Sequence, residues 1–198
     1  MIDVSRETQE RLDAYLALLH KWNPKINLVA SKSLEDAWTR HFVDSAQLLD
    51  MAPGTVQKWA DLGSGGGFPG AVVAILAKDG MPDLQVTLIE SDQRKSAFLR
   101  TVSRETGVGF EVISERIEGV APQSADVVSA RALAPLSQLL EYVTRHTAPD
   151  ATVLLPKGRA ASEEIQAALE QWQFDCETLP SQTDPSAVVL RIGEIKRV

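Results

Sequence analysis

The sequence has a single cysteine, Cys176, and this scarcity excludes two kinds of architecture. One cysteine forms no internal disulfide, and it cannot build a cysteine-based zinc site. Long apolar runs are also lacking: residues 71–77 form the longest clean run, whereas a membrane-spanning helix needs roughly 18 residues. The start of the chain has neither the basic residues nor the apolar stretch of a signal peptide. We therefore expect a soluble, cytoplasmic protein with no membrane attachment.

Positive charge is also in short supply. Twenty Lys and Arg oppose 27 Asp and Glu, and the resulting net charge of −7 argues at face value against a nucleic-acid partner. However, residues 160–185 hold six acidic residues and no basic one, which leaves −1 for the rest of the chain. Between Lys21 and His41, four basic residues outnumber two acidic ones. Because a phosphate responds to the local field, the net charge limits RNA affinity without excluding RNA.

The first part of the chain, residues 1–52, predicts an N-terminal helical cap. An apolar stripe at helical spacing comprises Leu12, Tyr15, Leu16 and Leu19. Pro24 predicts that this helix ends near Trp22. Ser33, with Asp36 three residues later, resembles a capping box and predicts the start of a second helix. Two short amphipathic helices need a partner for their apolar faces, so we expect them to pack on the remainder of the chain.

The second part, residues 53–198, predicts one compact α/β unit. Seven apolar runs read as strands, at residues 56–62, 84–89, 110–113, 125–130, 152–155, 174–179 and 187–195. The first five alternate with helical or turn segments, which is typical of a doubly wound, mostly parallel, Rossmann-like sheet. The last two runs are joined by a turn-rich connector, so we expect an antiparallel hairpin at one sheet edge.

A glycine-rich loop after the first predicted strand carries the strongest chemical signal. Residues 61–70 contain five glycines, and Pro69 suits the start of a following helix. A strand, a bare loop and a helix start describe the place where α/β sheets bind nucleotides. A phosphate-binding P-loop needs a lysine that this loop lacks, so phosphoryl transfer is not expected.

Spacing alone leaves two cofactors open. Gly65, Gly67 and Gly70 fit the dinucleotide fingerprint G-x-G-x-x-G. Gly63, Gly65 and Gly67 fit the phasing of methyltransferases equally well. Glu90, at the end of the second predicted strand, can accept hydrogen bonds from both ribose hydroxyls of either NAD or S-adenosylmethionine.

Further stretches give the chain a family resemblance. The glycine loop is followed by 89–91 and 94–95, and the other matching stretches are 19–23, 27–28, 40–45, 129–132 and 155–158. Together they resemble the RsmG (GidB) family, which belongs to the class I S-adenosylmethionine-dependent methyltransferases and acts on bacterial 16S ribosomal RNA. The resemblance implies S-adenosylmethionine as cofactor and methylation of ring nitrogen 7 of guanine 527, in the 530 loop of that RNA. An NAD(P)-dependent oxidoreductase is the alternative.

The resemblance also implies site residues. Gly63 and Phe68 would contact the cofactor, Ile117 and Glu118 would hold its adenine ring, and Arg131 would close the site and face the substrate. The complete set of expected cofactor-binding residues is Gly63, Gly65, Gly67, Phe68, Glu90, Ile117, Glu118 and Arg131.

The implied reaction is consistent with the absence of sequence motifs for other kinds of base methylation. Nitrogen 7 of guanine carries a free lone pair and no proton, so its methylation requires no general base. The Asn/Asp-Pro-Pro-aromatic motif of exocyclic-amine methyltransferases is absent from the sequence. Cys176 lies in the late hairpin, far along the chain from the glycine loop, and we expect an ordinary buried thiol. We therefore expect neither an obligate acid or base nor a metal.

Five residues are candidates for RNA contact. Arg94 and Lys95 lie on the helix that follows Glu90, and Lys157 and Arg159 follow the fifth predicted strand, where such sheets place substrates. His41 is the fifth, with a structural role as its alternative. We expect a monomer that acts on 16S ribosomal RNA within the small subunit or its precursor.

Overall fold

The computed structural model describes residues 2–198. Its α-helices are α1 (Arg6–Ile26), α2 (Ser31–Leu34), α3 (Asp44–Met51), α4 (Gly70–Gly80), α5 (Gln93–Thr106), α6 (Leu136–His146) and α7 (Ala161–Leu169). Its strands are β1 (Lys58–Leu62), β2 (Gln85–Ile89), β3 (Glu111–Ile113), β4 (Ala125–Ala130), β5 (Thr147–Lys157), β6 (Trp172–Pro180) and β7 (Val188–Arg197). A π-helical segment, Trp38–Val43, leads directly into α3.

The seven strands form one sheet in the order β3-β2-β1-β4-β5-β7-β6. The first five pair in parallel, whereas β7 pairs antiparallel with both β5 and β6. The predicted doubly wound sheet with a C-terminal antiparallel hairpin is therefore confirmed. The strand order reverses between β1 and β4, and sheets of this kind bind ligands at that point, outside the carboxyl ends of the strands.

Each face of the sheet has its own apolar core. Trp59 and Leu88 project to the face covered by α1, α3, α4 and α5, while Leu62 and Val128 project to the face covered by α6 and α7. The N-terminal helices thus share a core with the sheet through buried residues such as Leu12. Burial on the sheet supplies the partner that their apolar stripes required.

Two sequence-based predictions about the N-terminal helices are wrong. Helix α1 continues past Trp22 to Ile26, with Pro24 in its last turn. Proline removes a bond there to the carbonyl of His20, and because His20 is exposed, water can satisfy that carbonyl. Ser33 does not start a helix but lies inside α2, where its hydroxyl donates to the Ala30 carbonyl at 2.8 Å.

Within residues 2–198, no helix combines the length and the apolar character needed to cross a membrane.

Candidate functional site

The glycine loop lies at the carboxyl end of β1 and borders a cavity of about 700 Å³, which we call the cofactor cavity. The rest of its lining comes from residues within 28–41, the end of β2, the turn after β3, the turn after β4, Lys95 of α5 and Tyr142 of α6. Of the eight expected cofactor-binding residues, the cavity lining includes Gly63, Gly65, Phe68, Glu90, Ile117, Glu118 and Arg131.

The eighth, Gly67, is not brought to the cavity lining. A side chain at Gly67 would meet the Tyr15 hydroxyl and Leu99, so the missing Cβ allows the loop to pack against α1 and α5. Gly63 does border the cavity and takes a φ of +65°, a conformation that favours glycine. Of the three glycines that fit the dinucleotide fingerprint, only Gly65 lines the cavity, because Gly67 packs against α1 and α5 and Gly70 is the first residue of α4.

Glu90 is buried at the end of β2, with both carboxylate oxygens held by backbone donors. Oε2 accepts from the Gly65 N–H at 2.9 Å, and Oε1 accepts from the Asp92 N–H at 2.7 Å. Each carboxylate oxygen has a further lone pair. Glu90 thus joins the glycine loop to the start of α5 and still presents acceptors to the cavity.

Tyr15 of α1 anchors the glycine loop from beneath. Its ring is fully buried and stacks on Phe68 with a centroid distance of 5.3 Å, while its hydroxyl donates to the Gly66 carbonyl. Burial raises the pKa of this hydroxyl well above its ordinary value, so it stays a donor. A residue of the predicted N-terminal cap therefore fixes the loop that borders the cofactor cavity.

Phe68 and Arg131 form the wall next to α3. The Arg131 guanidinium lies over the Phe68 ring, 5.0 Å from its centroid, and it is 3.6 Å from Asp44 Oδ2. Arg131 Nη1 also donates to the Arg40 carbonyl at 3.2 Å. Burial lowers the pKa of Arg131, and the Asp44 carboxylate opposes that effect. These contacts tie the turn after β4 to the π-helical segment.

His41 reaches the cofactor cavity from the π-helical segment in a neutral form. Its Nε2 lies 2.9 Å from Ser33 Oγ, whose proton goes to Ala30, so Nε2 is the donor of this pair. Burial, with Arg131 and Arg40 nearby, lowers the pKa of His41 to about 4. His41 therefore brings a flat uncharged ring to the cavity, stacked 5.0 Å from Phe68.

The opposite wall holds Ile117 and Glu118, in the turn that follows β3. Ile117 is buried, and its carbonyl accepts from His146 Nε2 at 3.2 Å. Burial lowers the pKa of His146, which keeps the ring neutral below this wall. Glu118 is exposed at the cavity edge. An apolar side chain with a carboxylate beside it suits a flat heteroaromatic ring that carries an amino group.

Asp61 lies fully buried at the end of β1, directly below the glycine loop. Its Oδ1 accepts from Ser129 Oγ at 2.7 Å, and that hydroxyl accepts from Trp59 Nε1 at 2.8 Å. Burial raises the pKa of Asp61 to about 6, although the hydrogen bonds from Ser129 and Ser64 oppose the rise. Asp61 is an interior carboxyl group that links β1 to β4 rather than part of the cavity lining.

The five residues expected to contact RNA are separated by the fold. Lys95 lines the cofactor cavity together with His41, whereas Arg94 and Arg159 are exposed outside it. Lys157 is drawn inward: its Nζ lies 2.7 Å from Glu164 Oε2, and its side chain is only 9% exposed. The positive charge of Lys157 is therefore balanced within the protein. Its expected phosphate contact stays a prediction.

Several residues that line the cofactor cavity or support its walls were not among the sequence-based predictions. Tyr15 belongs to an apolar helical stripe, and helical spacing does not distinguish an aromatic ring in the core from one that anchors a loop. Leu133 faces Gly63, where a Cβ would lie 2.6 Å from its Cδ1. Arg40 and Asp44 lie in the stretch 40–45 that resembles the family, and this resemblance was the sequence feature that could have identified both.

Across residues 2–198, no group of three or more His, Cys, Asp and Glu side chains is arranged to hold a metal ion. Cys176 is half-buried in the edge strand β6, where burial raises the pKa of its thiol. The expectation of an ordinary buried thiol is thus met only in part, because Cys176 lies on the edge strand and is partly covered by the core.

Comparison with known proteins adds a family match. A family profile described as rRNA small subunit methyltransferase G matches residues 8–185. The ribosomal RNA small subunit methyltransferase G of Ruegeria pomeroyi is 52% identical over 197 residues, covering 100% of this chain and 96% of the relative. The protein of the same name from Paracoccus denitrificans is 48% identical, covering 98% of this chain and 99% of its own.

Solved structures share the fold at low sequence identity. The ribosomal protein L11 methylase of Lactobacillus delbrueckii subsp. bulgaricus has a TM-score of 0.60 at 16% identity, with 75% of each chain covered. The M. jannaschii protein TYW2, solved in complex with AdoMet, has a TM-score of 0.60 at 13% identity, covering 88% of this chain and 80% of its own.

Proposed function

The chain belongs to the rRNA small subunit methyltransferase G family, and from that membership we propose its reaction. It transfers a methyl group from S-adenosylmethionine to ring nitrogen 7 of guanine 527 in 16S ribosomal RNA. The relatives reported above are named as methyltransferases, and they lend no support to the alternative of a nicotinamide-dependent oxidoreductase.

One observation supports a nucleoside cofactor: Glu90 presents a carboxylate to the cofactor cavity beside the bare glycine loop. The family match identifies that nucleoside as S-adenosylmethionine rather than NAD. In this proposal Glu90 accepts from the ribose hydroxyls, and Gly63 and Gly65 let the amino-acid part of the cofactor approach the backbone. Ile117 and Glu118 hold the adenine ring. A cavity of about 700 Å³ is large enough for a nucleoside of this size.

The proposed reaction requires the protein to align the methyl donor and the acceptor nitrogen, and it requires no proton transfer. S-adenosylmethionine supplies an electrophilic methyl group on a sulfonium, and nitrogen 7 of guanine offers a free lone pair. The protein then has to orient the two partners and exclude water. His41 contributes a neutral ring, since its pKa of about 4 leaves it uncharged at pH 7. In this proposal Arg131, which lies over the Phe68 ring, forms the wall between cofactor and substrate.

The substrate in this proposal is RNA held within the small ribosomal subunit or its precursor, in the cytoplasm, and the enzyme acts as a monomer. The charge distribution supports a structured substrate. Because the whole chain carries −7, few cations remain to bind arbitrary RNA tightly.

The direct test is methyl transfer from radiolabelled S-adenosylmethionine to small subunits that lack the modification. We expect incorporation at guanine 527, mapped by chemical cleavage at 7-methylguanosine. Replacement Glu90→Ala should weaken binding of S-adenosylhomocysteine by about 10- to 100-fold, as expected for loss of hydrogen bonds to a charged group.

Glu105→Ala is the matched control, because Glu105 is an exposed carboxylate of α5 that pairs with Arg104 outside the cavity. Isothermal titration should give this control the affinity of the unmodified protein. Binding of NADH without binding of S-adenosylhomocysteine would overturn the proposed function.

A further inference from the structure

A second cavity of about 600 Å³ adjoins the cofactor cavity. The two cavities share Arg40, Arg131, Ala132 and Leu133 as a common wall. Ala132 has a φ of +52°, a conformation that is rare outside glycine and that concentrates at functional sites. The outer walls come from the π-helical segment, the turn after β5 and the connector between β6 and β7.

Four carboxylates line the second cavity, and three of them have at least one oxygen held by a donor of the protein. Asp44 accepts from Gln47 and Thr183, and it faces Arg131. Glu164 accepts from Lys157 and the Leu136 N–H, and Asp184 accepts from the N–H and hydroxyl of Ser186.

The fourth carboxylate, Asp36, is exposed, and its side chain has no hydrogen bond or ion pair to any residue of 2–198. It lines the second cavity only. Asp36 therefore leaves two oxygen acceptors open toward the space inside.

The cations around this cavity also fall into those with an ion-pair partner and one without. Arg131 and Lys157 face Asp44 and Glu164, so their charges are balanced. Arg40 is exposed on the common wall, and among residues 2–198 its guanidinium has no carboxylate partner within ion-pair distance. It thus has no direct ion pair at the place where both cavities open, although its charge helps to lower the pKa of Asp184.

We propose that the second cavity holds the target guanosine, with Asp36 accepting hydrogen bonds from N1–H and the N2 amino group and Arg40 contacting a flanking phosphate. This inference rests on the proposed function. Guanine presents two adjacent donors on that edge, which match the two oxygens of one carboxylate. Adenine presents an acceptor beside its amino group and fits less well.

The placement also explains how nitrogen 7 is presented. In guanine, nitrogen 7 lies on the opposite side of the ring system from the N1 and N2 donors. A base held through that donor edge by Asp36, which borders the second cavity alone, turns nitrogen 7 toward the wall shared with the cofactor cavity. Methyl donor and acceptor then meet at Arg131 and Leu133, without any proton transfer.

The test measures, for three variants, the methylation of small subunits and the binding of S-adenosylhomocysteine. Asp36→Asn replaces one acceptor by a donor, Arg40→Ala removes the cation without an ion pair, and Ala187→Phe adds a ring to a half-buried residue of the second cavity. We expect kcat/KM for the subunit to fall by about tenfold or more in each. Cofactor affinity should stay within about twofold in Asp36→Asn and Ala187→Phe, whose residues line the second cavity only. Asp36→Glu should restore part of the activity of Asp36→Asn.

Matched controls are Asp50→Asn and Ala148→Phe, which change an exposed carboxylate and a half-buried alanine outside both cavities. Both should methylate normally. If Asp36→Asn and Ala187→Phe methylate like the unmodified protein, or if Asp36→Asn loses cofactor affinity in proportion to activity, the inference is wrong. If the unmodified protein itself transfers no methyl group to the subunit, the proposed function fails, and this inference fails with it.

Discussion

Burial changes the charge of individual side chains near the glycine loop. His41 and His146 are neutral because burial lowers the pKa of each ring. Asp61 shows the opposite effect for an acid, since burial raises its pKa from an ordinary 3.8 to about 6. A carboxyl group that keeps its proton more tightly in the folded state destabilises the fold once the unfolded chain ionises.

The effect of Asp61 on stability should therefore depend on pH with a definite sign. The folded protein holds this proton up to about pH 6, whereas the unfolded chain releases it from pH 3.8, so Asp61 destabilises increasingly between these values. Relative to the unmodified protein, Asp61→Asn should gain on the order of 3 kcal/mol of unfolding free energy between about pH 3 and about pH 7. Urea unfolding at a series of pH values measures this difference.

Asp92→Asn provides the control of opposite sign. Hydrogen bonds from Arg94 and the Lys95 N–H lower the pKa of Asp92, so its ionised form stabilises the fold. The relative stability of Asp92→Asn should fall as pH rises toward the ordinary pKa of 3.8 and stay level above about pH 5. Equal pH dependence in the two variants would contradict the assignment for Asp61.

Helix α1 contributes to the cofactor cavity as well as to the core. Tyr15 joins α1 to the glycine loop through its bond to the Gly66 carbonyl and its stacking on Phe68. The loop residues that border the cavity are thus positioned from a helix that precedes the sheet by some 30 residues of chain. Removal of the hydroxyl should loosen the loop without emptying the space filled by the ring.

Tyr15→Phe tests this link between helix and loop. We expect a loss of about 1–3 kcal/mol in unfolding free energy, because the buried Gly66 carbonyl loses its donor. Affinity for S-adenosylhomocysteine should fall by roughly five- to tenfold, as measured by isothermal titration on fully folded protein.

Thr106→Val separates loop positioning from general stability. The Thr106 hydroxyl is buried and donates to the Val102 carbonyl at the end of α5, away from the cofactor cavity. This variant should lose stability yet bind the cofactor analogue normally. An unchanged affinity in Tyr15→Phe would limit the role of Tyr15 to the core.

Charge is distributed unevenly over the whole molecule. The six acidic residues of 160–185 lie on α7 or at its C-cap, on β6 and in the connector that follows. Lys95 and Arg40 border the cofactor cavity. Because Lys157 is paired with Glu164, the fold leaves fewer free cations than the sequence suggested. Binding to free RNA should be weak and moderately sensitive to salt.

Filter binding to an unstructured RNA across salt concentrations checks this expectation. With two to four phosphate contacts, a log–log slope of about −1.5 to −3 is expected. Arg159→Ala should make the slope shallower by the amount expected for the loss of about one phosphate contact. Arg6→Ala removes an exposed cation that is paired with Glu10 on α1, and it should leave the slope unchanged. Tight binding that ignores salt would contradict the charge argument.

The sequence by itself determined the features that depend on neighbours in the chain. Alternating apolar runs predicted the strands and their mostly parallel order, since periodicity reflects which side of an element is buried. The glycine loop and Glu90 predicted a nucleotide site, because loop and acid follow adjacent strands that end at the same sheet edge. Local rules failed at Pro24 and Ser33, where solvent exposure and a backward hydrogen bond set the helix limits.

Only the tertiary structure decided which side chains are free to act. Tyr15 meets Gly66 across 51 residues of chain, and the Gln182 N–H meets Gln47 across 135. Lys157 and Arg40 are both cations by sequence, yet Glu164 balances the first, and the second stays exposed between two cavities. Charge, protonation and access depend on burial and on distant partners, and these exist only once the chain has folded.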